Sequence, residues 1–320
     1  MKTPDFWRTN NLAARLLSPL GELYAFATKL RLRLKKSQKV NIPVICIGNL
    51  TAGGTGKTPT AISLALMLQN AGIYPNFISR GYHGTLKNVQ VNPSLHTPEQ
   101  VGDEPLLLAD IAPTFINADR YLAALQAQNN QAQCILMDDG FQNPSLYKDL
   151  SFLVVDGAYG FGNRKCIPAG PLREHIASGL KRAQGILIIG EDEHGISQTL
   201  GIPCFKGRVV PQPPALKNNR VIAFAGIGRP QKFYISLSEL GIEIVKTFDF
   251  PDHHYYTPEE LNNILDIAKQ EKAEVITTSK DFVKIPSALK PHFKVLNIGI
   301  QWQDPITLQN FILEKIGKQK

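Results

Sequence analysis

The sequence has few cysteines, and their spacing argues against metal or redox chemistry. Its four cysteines, Cys46, Cys134, Cys166 and Cys204, are dispersed and include no Cys-x-x-Cys pair. Cys46 and Cys134 lie in apolar, strand-like runs, so we expect buried thiols in a reducing compartment. The sequence therefore predicts no zinc site.

Long apolar runs are also missing. No stretch of about 18 uninterrupted apolar residues occurs, so no membrane-spanning helix is predicted, and we expect no cleavable signal sequence. The composition is ordinary for a globular protein, with 43% hydrophobic and 19% charged residues over 320 positions. A chain of this length buries a substantial core and is expected to form two domains.

Negative charge is scarce in residues 1–40. This segment carries two acidic and nine basic residues, a net +7 out of the chain's formal +8. Because the charge is confined to one end, it indicates a local surface contact and no nucleic-acid partner. Trp7, Phe26 and several leucines interleave with the basic residues, a pattern typical of helices in a membrane interface. A helix packed on the protein body gives the same pattern, and both interpretations stay open.

A glycine-rich loop connects an apolar segment to a helix-like one in residues 42–60, IPVICIGNLTAGGTGKTPT. A phosphate cradle needs this order, because glycines let N–H groups turn inward and the helix N-terminus adds positive charge. The loop predicts binding of ATP or GTP, although a flexible turn with a surface lysine would look similar. Thr51 stands where the strict G-x-x-x-x-G-K-[ST] pattern has glycine. The predicted phosphate-binding residues are Thr51, Ala52, Gly53, Gly54, Thr55, Gly56, Lys57 and Thr58.

Two adjacent acids, Asp138 and Asp139, follow the apolar run at 134–137. An acid at the carboxyl edge of a sheet can hold Mg²⁺ beside a phosphate loop. We predict a Mg²⁺ site formed by Asp138, Asp139 and the Thr58 hydroxyl. Because neighbouring residues of an extended chain point to opposite sides, we expect only one of the two acids close to the ion. An ordinary Asp-Gly turn is the alternative.

Two further groups carry candidate catalytic side chains. Asp103 and Glu104 form a paired-carboxylate candidate for a base that accepts a hydroxyl proton, or else they complement the start of a helix. Asp252 precedes His253 and His254, and an acid can orient an imidazole; histidines of a surface loop are the alternative. Arginines beside glycines, strand ends or helix starts suit phosphate contacts, although a single one is more often part of a structural ion pair. These arginines are Arg80, Arg120, Arg173, Arg182 and Arg229.

Strands alternate with helices along most of the chain, which predicts a mostly parallel sheet with helices on both faces. Residues 211–219, PQPPALKNN, form the best candidate linker. We expect an α/β fold with three parts: basic amphipathic helices over 1–40, a P-loop core over 41–210 and a smaller C-terminal α/β lobe over 211–320.

Several motifs together resemble the tetraacyldisaccharide 4′-kinase family. They occur in family order and are GNLTAGGTGKTP (48–59), SRGYHG (79–84), GDEPLLLA (102–109), DDGFQ (138–142), GPLRE (170–174), FAGIGRP (224–230), FPDHHYYT (250–257) and TTSKDFVKI (277–285). Asn143 departs from the family pattern, which has histidine there, and TTSKD replaces the more usual T-E-K-D.

The resemblance implies that the chain phosphorylates the 4′-hydroxyl of a tetraacylated glucosamine disaccharide 1-phosphate with ATP and Mg²⁺. It implies that the chain acts at the cytoplasmic face of a bacterial inner membrane, to which it attaches peripherally or monotopically, and that it has no obligate protein partner. It also implies that Asp103 is the base, supported by Asp252 and His253, and that Lys57 acts on the phosphates. Glu104, Arg80, Arg120 and Arg173 are candidate substrate contacts.

Two other functions fit parts of the sequence. A membrane-associated regulatory P-loop ATPase would also need the phosphate loop, but that class typically carries an extra lysine near the start of the loop, where this chain has Leu50, Thr51 and Ala52. A nucleotide-binding adaptor without catalysis is the third possibility.

Overall fold

The structure is a computed structural model that describes residues 4–317. Its strands are β1 (Val44–Gly48), β2 (Pro75–Ser79), β3 (Val89–Gln90), β4 (Thr114–Ile116), β5 (Cys134–Asp138), β6 (Leu150–Asp156), β7 (Gly185–Ile189), β8 (Cys204–Gln212), β9 (Arg220–Ala225), β10 (Glu243–Asp249), β11 (Glu274–Thr278) and β12 (Phe293–Trp302).

The helices alternate with these strands over most of the chain. They are α1 (Leu12–Leu16), α2 (Ser18–Leu34), α3 (Lys57–Asn70), α4 (Pro98–Val101), α5 (Asp103–Ala109), α6 (Arg120–Asn129), α7 (Ile176–Leu180), α8 (Ile196–Thr199), α9 (Pro230–Glu239), α10 (Pro258–Gln270), α11 (Ser279–Phe282) and α12 (Pro305–Lys315), with 3-10 turns at Asp5–Arg8 and Lys290–His292.

All the strands join one sheet in the order β10-β9-β11-β12-β8-β7-β6-β1-β5-β2-β4-β3. The neighbours from β8 to β4 are parallel, as are those from β10 to β12. β12 runs antiparallel to β8, and β3 antiparallel to β4. The predicted mostly parallel sheet flanked by helices is confirmed, and the antiparallel β8–β12 pair is the seam between a larger and a smaller half.

Two apolar layers cover the larger half of the sheet. One contains Ala123 and Ala124 of α6; the other contains Leu64 of α3 together with Leu308 and Ile312 of α12. Two further clusters cover the smaller half. The helix α12 thus follows the smaller half in sequence but packs on the larger one, whereas the sequence analysis assigned residues 211–320 to the smaller lobe. The domain boundaries stay a prediction.

The N-terminal helices dock on the loop formed by residues 164–175, which we call the bracing loop. The Trp7 indole donates to the carbonyl of Pro168 at 3.0 Å, and the His175 ring lies 3.0 Å from Glu22. A Cβ at Gly21 would lie 2.7 Å from the carbonyl oxygen of Cys166, so only glycine permits this approach of α2. The opposite face of α1 and α2 is apolar and exposed, and within residues 4–317 no helix is long and apolar enough to cross a bilayer.

Candidate active site

The site forms where β1 and β5 leave the sheet. These strands are parallel neighbours, with Ile47 opposite Asp138, so the glycine-rich loop and the two adjacent acids emerge at the same edge. Both strands are buried along their whole length because their side chains are apolar on both faces of the sheet.

The glycine-rich loop has an open concave backbone. Gly53 and Gly56 adopt positive φ angles of 112° and 82°, which L side chains rarely adopt. No atom of the described residues lies within 4 Å of the positions where Cβ atoms would stand at Gly54 and Gly56. Lys57 is the first residue of the 14-residue helix α3, so the N-terminus of this helix faces the loop. These features match a phosphate cradle.

The bracing loop supports the first part of this cradle. Thr51 forms an antiparallel bridge with Leu172. The Ala52 N–H donates to the carbonyl of Pro171 at 2.7 Å. Thr51 therefore stands at a strand-like contact where glycine is not needed. The Ala52 N–H is already used in a hydrogen bond within the protein.

The adjacent acids have different environments, although Asp139 is not extended: it follows the end of β5 and has a positive φ of 45°. Asp139 lies 3.7 Å from the Lys57 ammonium and 3.3 Å from the Arg173 guanidinium. Asp138 is 1% exposed, and its Oδ1 atom has no hydrogen-bond partner among residues 4–317. Burial, followed by the charges of Glu104 and Asp139, raises the pKa of Asp138 well above its usual range. A buried carboxylate oxygen without a partner fits a cation ligand.

Asp103 and Glu104 begin the helix α5 and face different partners. Glu104 lies near enough to Asp138 to raise the pKa of that carboxyl group. Asp103 is 7% exposed, and its Oδ1 atom accepts the N–H of Glu104 at 3.1 Å. Burial alone would raise the pKa of Asp103, but the hydrogen bond with His253 and the charge of Lys280 outweigh it and lower the pKa to about 2.

His253 reaches Asp103 from the smaller half of the protein. The His253 Nδ1 atom lies 3.1 Å from Oδ2 of Asp103. Because a carboxylate with this low pKa only accepts hydrogen bonds, Nδ1 carries the proton. His253 has a positive φ of 62°, and its N–H donates to the carbonyl of Gly226. A residue held in such a sparsely populated conformation is a frequent feature of functional sites.

His254 is directed away from this pair and anchors the same loop. Its ring stacks on Phe250 with centroids 4.9 Å apart and packs edge-on against Tyr256. Its Nε2 atom lies 3.0 Å from a carboxylate oxygen of Glu260. The sequence could not distinguish the two histidines by spacing, and the structure brings only His253 to Asp103.

Asp252 and Lys280 complete the surroundings of His253. Asp252 Oδ1 lies 3.9 Å from Nε2 of His253, beyond hydrogen-bonding distance. The Lys280 ammonium is closer, at 3.3 Å from the same nitrogen. The sequence analysis assigned no role to Lys280, although it lies in the TTSKD motif.

The three candidate substrate arginines differ in exposure and partners. Arg173 pairs with Asp139. Arg120 is 4% exposed and donates to the carbonyl of Asn117 at 2.7 Å. Its Nε atom has no hydrogen-bond partner within the described part of the chain. Burial, followed by the nearby charge of Arg80, lowers the pKa of Arg120 to about 10. Arg80 and Arg120 therefore form a cationic pair close to the adjacent acids.

A polar network that the sequence analysis did not predict supports the cradle from behind. The Gln142 amide donates to the carbonyl of Asn49 at 2.9 Å and to Glu174 at 3.1 Å, and Glu174 pairs with Arg182. The neighbouring Asn143 accepts the N–H and hydroxyl of Ser145 and shapes a turn. The fold brings these residues together, and their spacing in the sequence does not predict that they are in contact.

The parallel sheet, the phosphate cradle and the carboxylates around it define a P-loop phosphotransferase. Residues 13–317 match the family model of the tetraacyldisaccharide-1-P 4′-kinases. The chain belongs to this family and is an enzyme, a kinase of lipid A biosynthesis, as the resemblance implied.

Individual relatives match over nearly their full length. The chain is 44% identical to the tetraacyldisaccharide 4′-kinase of Rhodospirillum rubrum, over 98% of this chain and 97% of that one. It is 44% identical to that of Paramagnetospirillum magneticum over 99% of each chain. The crystal structure of LpxK from Aquifex aeolicus in complex with ATP superposes with a TM-score of 0.80 at 28% identity, over 95% of this chain and 99% of that one.

Proposed function

We propose that this chain transfers the γ-phosphoryl group of ATP to the 4′-hydroxyl of a tetraacylated glucosamine disaccharide 1-phosphate at a membrane surface. The observation that carries this proposal is the 3.1 Å contact between Asp103 and His253 beside the phosphate cradle. A hydroxyl bound there lies between a carboxylate acceptor and the phosphates, which is the arrangement that phosphoryl transfer to an alcohol requires.

The glycine-rich loop and Lys57 bind the ATP phosphates in this proposal. The space beside Gly54 and Gly56 is open, and the N-terminus of α3 favours negative charge there. Lys57 lies 3.7 Å from Asp139 in the structure. We expect the lysine to exchange part of this ion pair for phosphate oxygens when ATP binds.

Asp138 and Thr58 are the residues that would hold Mg²⁺. The unpartnered, buried Oδ1 of Asp138 supports this assignment, because carboxylate and hydroxyl oxygens are ligands that Mg²⁺ accepts. When bound, the ion neutralises charge on the β- and γ-phosphate oxygens. Asp139 holds Lys57 and Arg173 beside the same phosphates, so the two acids have separate tasks.

Asp103 accepts the proton of the 4′-hydroxyl. The hydroxyl oxygen bonds to the γ-phosphorus atom of ATP as ADP leaves. With a pKa of about 2, Asp103 is a weak base. Because the transition state of phosphoryl transfer is loose, the carboxylate mainly orients the hydroxyl and receives the proton late. His253 holds the carboxylate in place. Arg80, Arg120 and Glu104 line the approach to this position and are the proposed substrate contacts.

The exposed face of α1 and α2 is the proposed membrane contact. Leucines and Phe26 on this face are 54–72% exposed, namely Leu12, Leu16, Leu20, Leu23 and Phe26. Lysines and arginines of residues 1–40 surround them, and each contributes roughly 1 kcal/mol near an anionic leaflet. The opposite face docks on the bracing loop. In this proposal, one face of the N-terminal helices packs on the protein body and the other contacts the membrane. Because the substrate carries acyl chains, we propose that the reaction takes place at a membrane surface, on the cytoplasmic face of the inner membrane.

The first experiment measures transfer of γ-³²P from ATP to purified disaccharide 1-phosphate in detergent micelles with Mg²⁺. We expect a labelled bisphosphorylated lipid from the wild type. We expect almost none from Asp103→Asn and wild-type product from Asp110→Asn, which changes another carboxylate following the same helix α5. ATP hydrolysis without labelled lipid would favour the regulatory ATPase instead.

The membrane contact has its own test, cosedimentation with phosphatidylglycerol vesicles. Leu23→Glu is expected to reduce binding, because it places a charge in the centre of the exposed apolar face. Leu122→Glu on α6 is the matched control, since Leu122 is also an exposed helical leucine. Equal binding by the two variants would show that the N-terminal helices do not carry the contact.

A further inference from the structure

Lys280 lies beside Nε2 of the His253 ring and close to Asp103. Its ammonium lies 3.3 Å from Nε2 of His253, 3.7 Å from Oδ2 of Asp103 and 3.9 Å from Oδ1 of Asp252. The lysine side chain is 25% exposed. It therefore stands at the centre of a cluster that contains two carboxylates and one imidazole.

The helix α11 holds Lys280 rigidly relative to His253. Thr278 caps α11 by accepting the N–H of Asp281 at 3.2 Å. Asp281 then accepts the N–H of Gly226 at 3.0 Å, and the carbonyl of Gly226 accepts the N–H of His253. One short chain of hydrogen bonds thus links the backbones of the lysine and the histidine.

An ammonium group has only hydrogen-bond donors, so it binds a ring nitrogen only where that nitrogen presents a lone pair. Nδ1 of His253 already donates its proton to Asp103. We propose that Lys280 is a positioning residue that keeps Nε2 of His253 unprotonated and separates it from Asp252, so that the ring stays aligned on Asp103. The catalytic consequence rests on the proposed function of Asp103.

Four groups face the imidazole, and three of them are charged. Asp103 approaches from α5, Asp252 from the same loop and Lys280 from α11, while the His83 ring lies 5.2 Å away between centroids. Without the ammonium, Nε2 faces the carboxylate of Asp252 directly. That carboxylate favours a second ring proton and draws the ring away from Asp103.

The test uses ¹⁵N-histidine NMR of the full chain in micelles at neutral pH, with His253→Gln to assign the resonances. We expect Nε2 of His253 to resonate as an unprotonated nitrogen in the wild type. In Lys280→Met it should move towards the protonated position, and kcat should fall by about 100-fold, the lower end of a general base's contribution. The KM for ATP should stay unchanged, and Lys280→Arg should restore part of both properties.

Lys294→Met is the matched control, because Lys294 is a half-buried, ion-paired lysine of the same half. It should leave the His253 resonances and kcat unchanged. An unshifted Nε2 resonance in folded Lys280→Met would overturn the proposal, whatever its kcat, and would leave direct phosphate binding as the role of the lysine. A shifted resonance with wild-type kcat would support the positioning contact and reject the catalytic role of the Asp103–His253 pair.

Discussion

Replacing Lys284 by methionine would leave a buried charge without its counter-ion. Lys284 and Asp281 are 3.0 Å apart, and their side chains are 1% and 0% exposed. Asp281 keeps two neutral donors, the Gly226 N–H at 3.0 Å and the Thr278 hydroxyl at 2.8 Å. Removing one member of such a pair costs about 3–5 kcal/mol. At roughly 2 °C per kcal/mol for a chain of this size, the Tm should fall by about 6–10 °C.

The double variant tests the reasoning. Lys284→Met with Asp281→Asn contains no buried charge, and the asparagine oxygen still accepts the Gly226 N–H. We expect it to be more stable than Lys284→Met alone, by about 2 kcal/mol. Urea unfolding followed by circular dichroism measures the four free energies of this cycle. If the two single effects add to within about 0.5 kcal/mol, the pair is not coupled and the argument from burial is wrong.

Three other predictions concern the site. Lys57→Ala should lower turnover by about 100- to 1000-fold with an unchanged circular dichroism spectrum; a wild-type rate would refute the phosphate contact. Asp138→Asn should abolish transfer yet raise the Tm in EDTA, because burial raises the pKa of the Asp138 carboxyl group and its ionisation in the unfolded chain therefore opposes folding at neutral pH; a lower Tm contradicts this. Asp103 has a folded pKa of about 2, below the unfolded value of about 3.9. It therefore stabilises the fold above about pH 4 by about 2 kcal/mol, and this is lost towards pH 2. Asp103→Asn should accordingly differ from the wild type in unfolding free energy less at pH 3 than at pH 6, and an equal difference would contradict the assignment.

Elements with continuous apolar runs or clear end signals can be recognised from the sequence. The helix at 57–70, which follows the glycine-rich loop, and the strands at 185–189, 220–225 and 274–278 are of this kind. Each strand is an apolar run bounded by glycine, proline or polar residues, because both faces of a parallel strand are buried.

The last part of the chain was not predictable in the same way. The elements β12 and α12 lie there. β12 is only partly buried and leaves Ile298 41% exposed, so its pattern is neither a continuous apolar run nor a clean alternation. Its neighbour β8 lies some 90 residues earlier in the register Asn297 to Gln212, and local sequence gives no signal of such a pairing.

The residues of the site were predictable as motifs, but their contacts were not. Asp103 and His253 are separated by 150 positions, and only the fold brings them together. The choice of His253 over His254 came from family resemblance, whereas the structure gives a physical reason in the packing of His254 on Phe250. Lys280 could not be connected with either residue from spacing alone. The functional roles of these residues stay predictions.

The return of α12 to the larger half has a consequence for synthesis on the ribosome. Leu308 and Ile312 complete an apolar layer that begins with Ile45 and Leu64. The helix α12 is synthesised after all the strands of this layer, so the layer cannot close before α12 has left the exit tunnel. The nascent chain therefore carries an open apolar sheet face until that point. A chain cut at the proline-rich segment near 211 would keep that face open permanently, and we would expect it to aggregate.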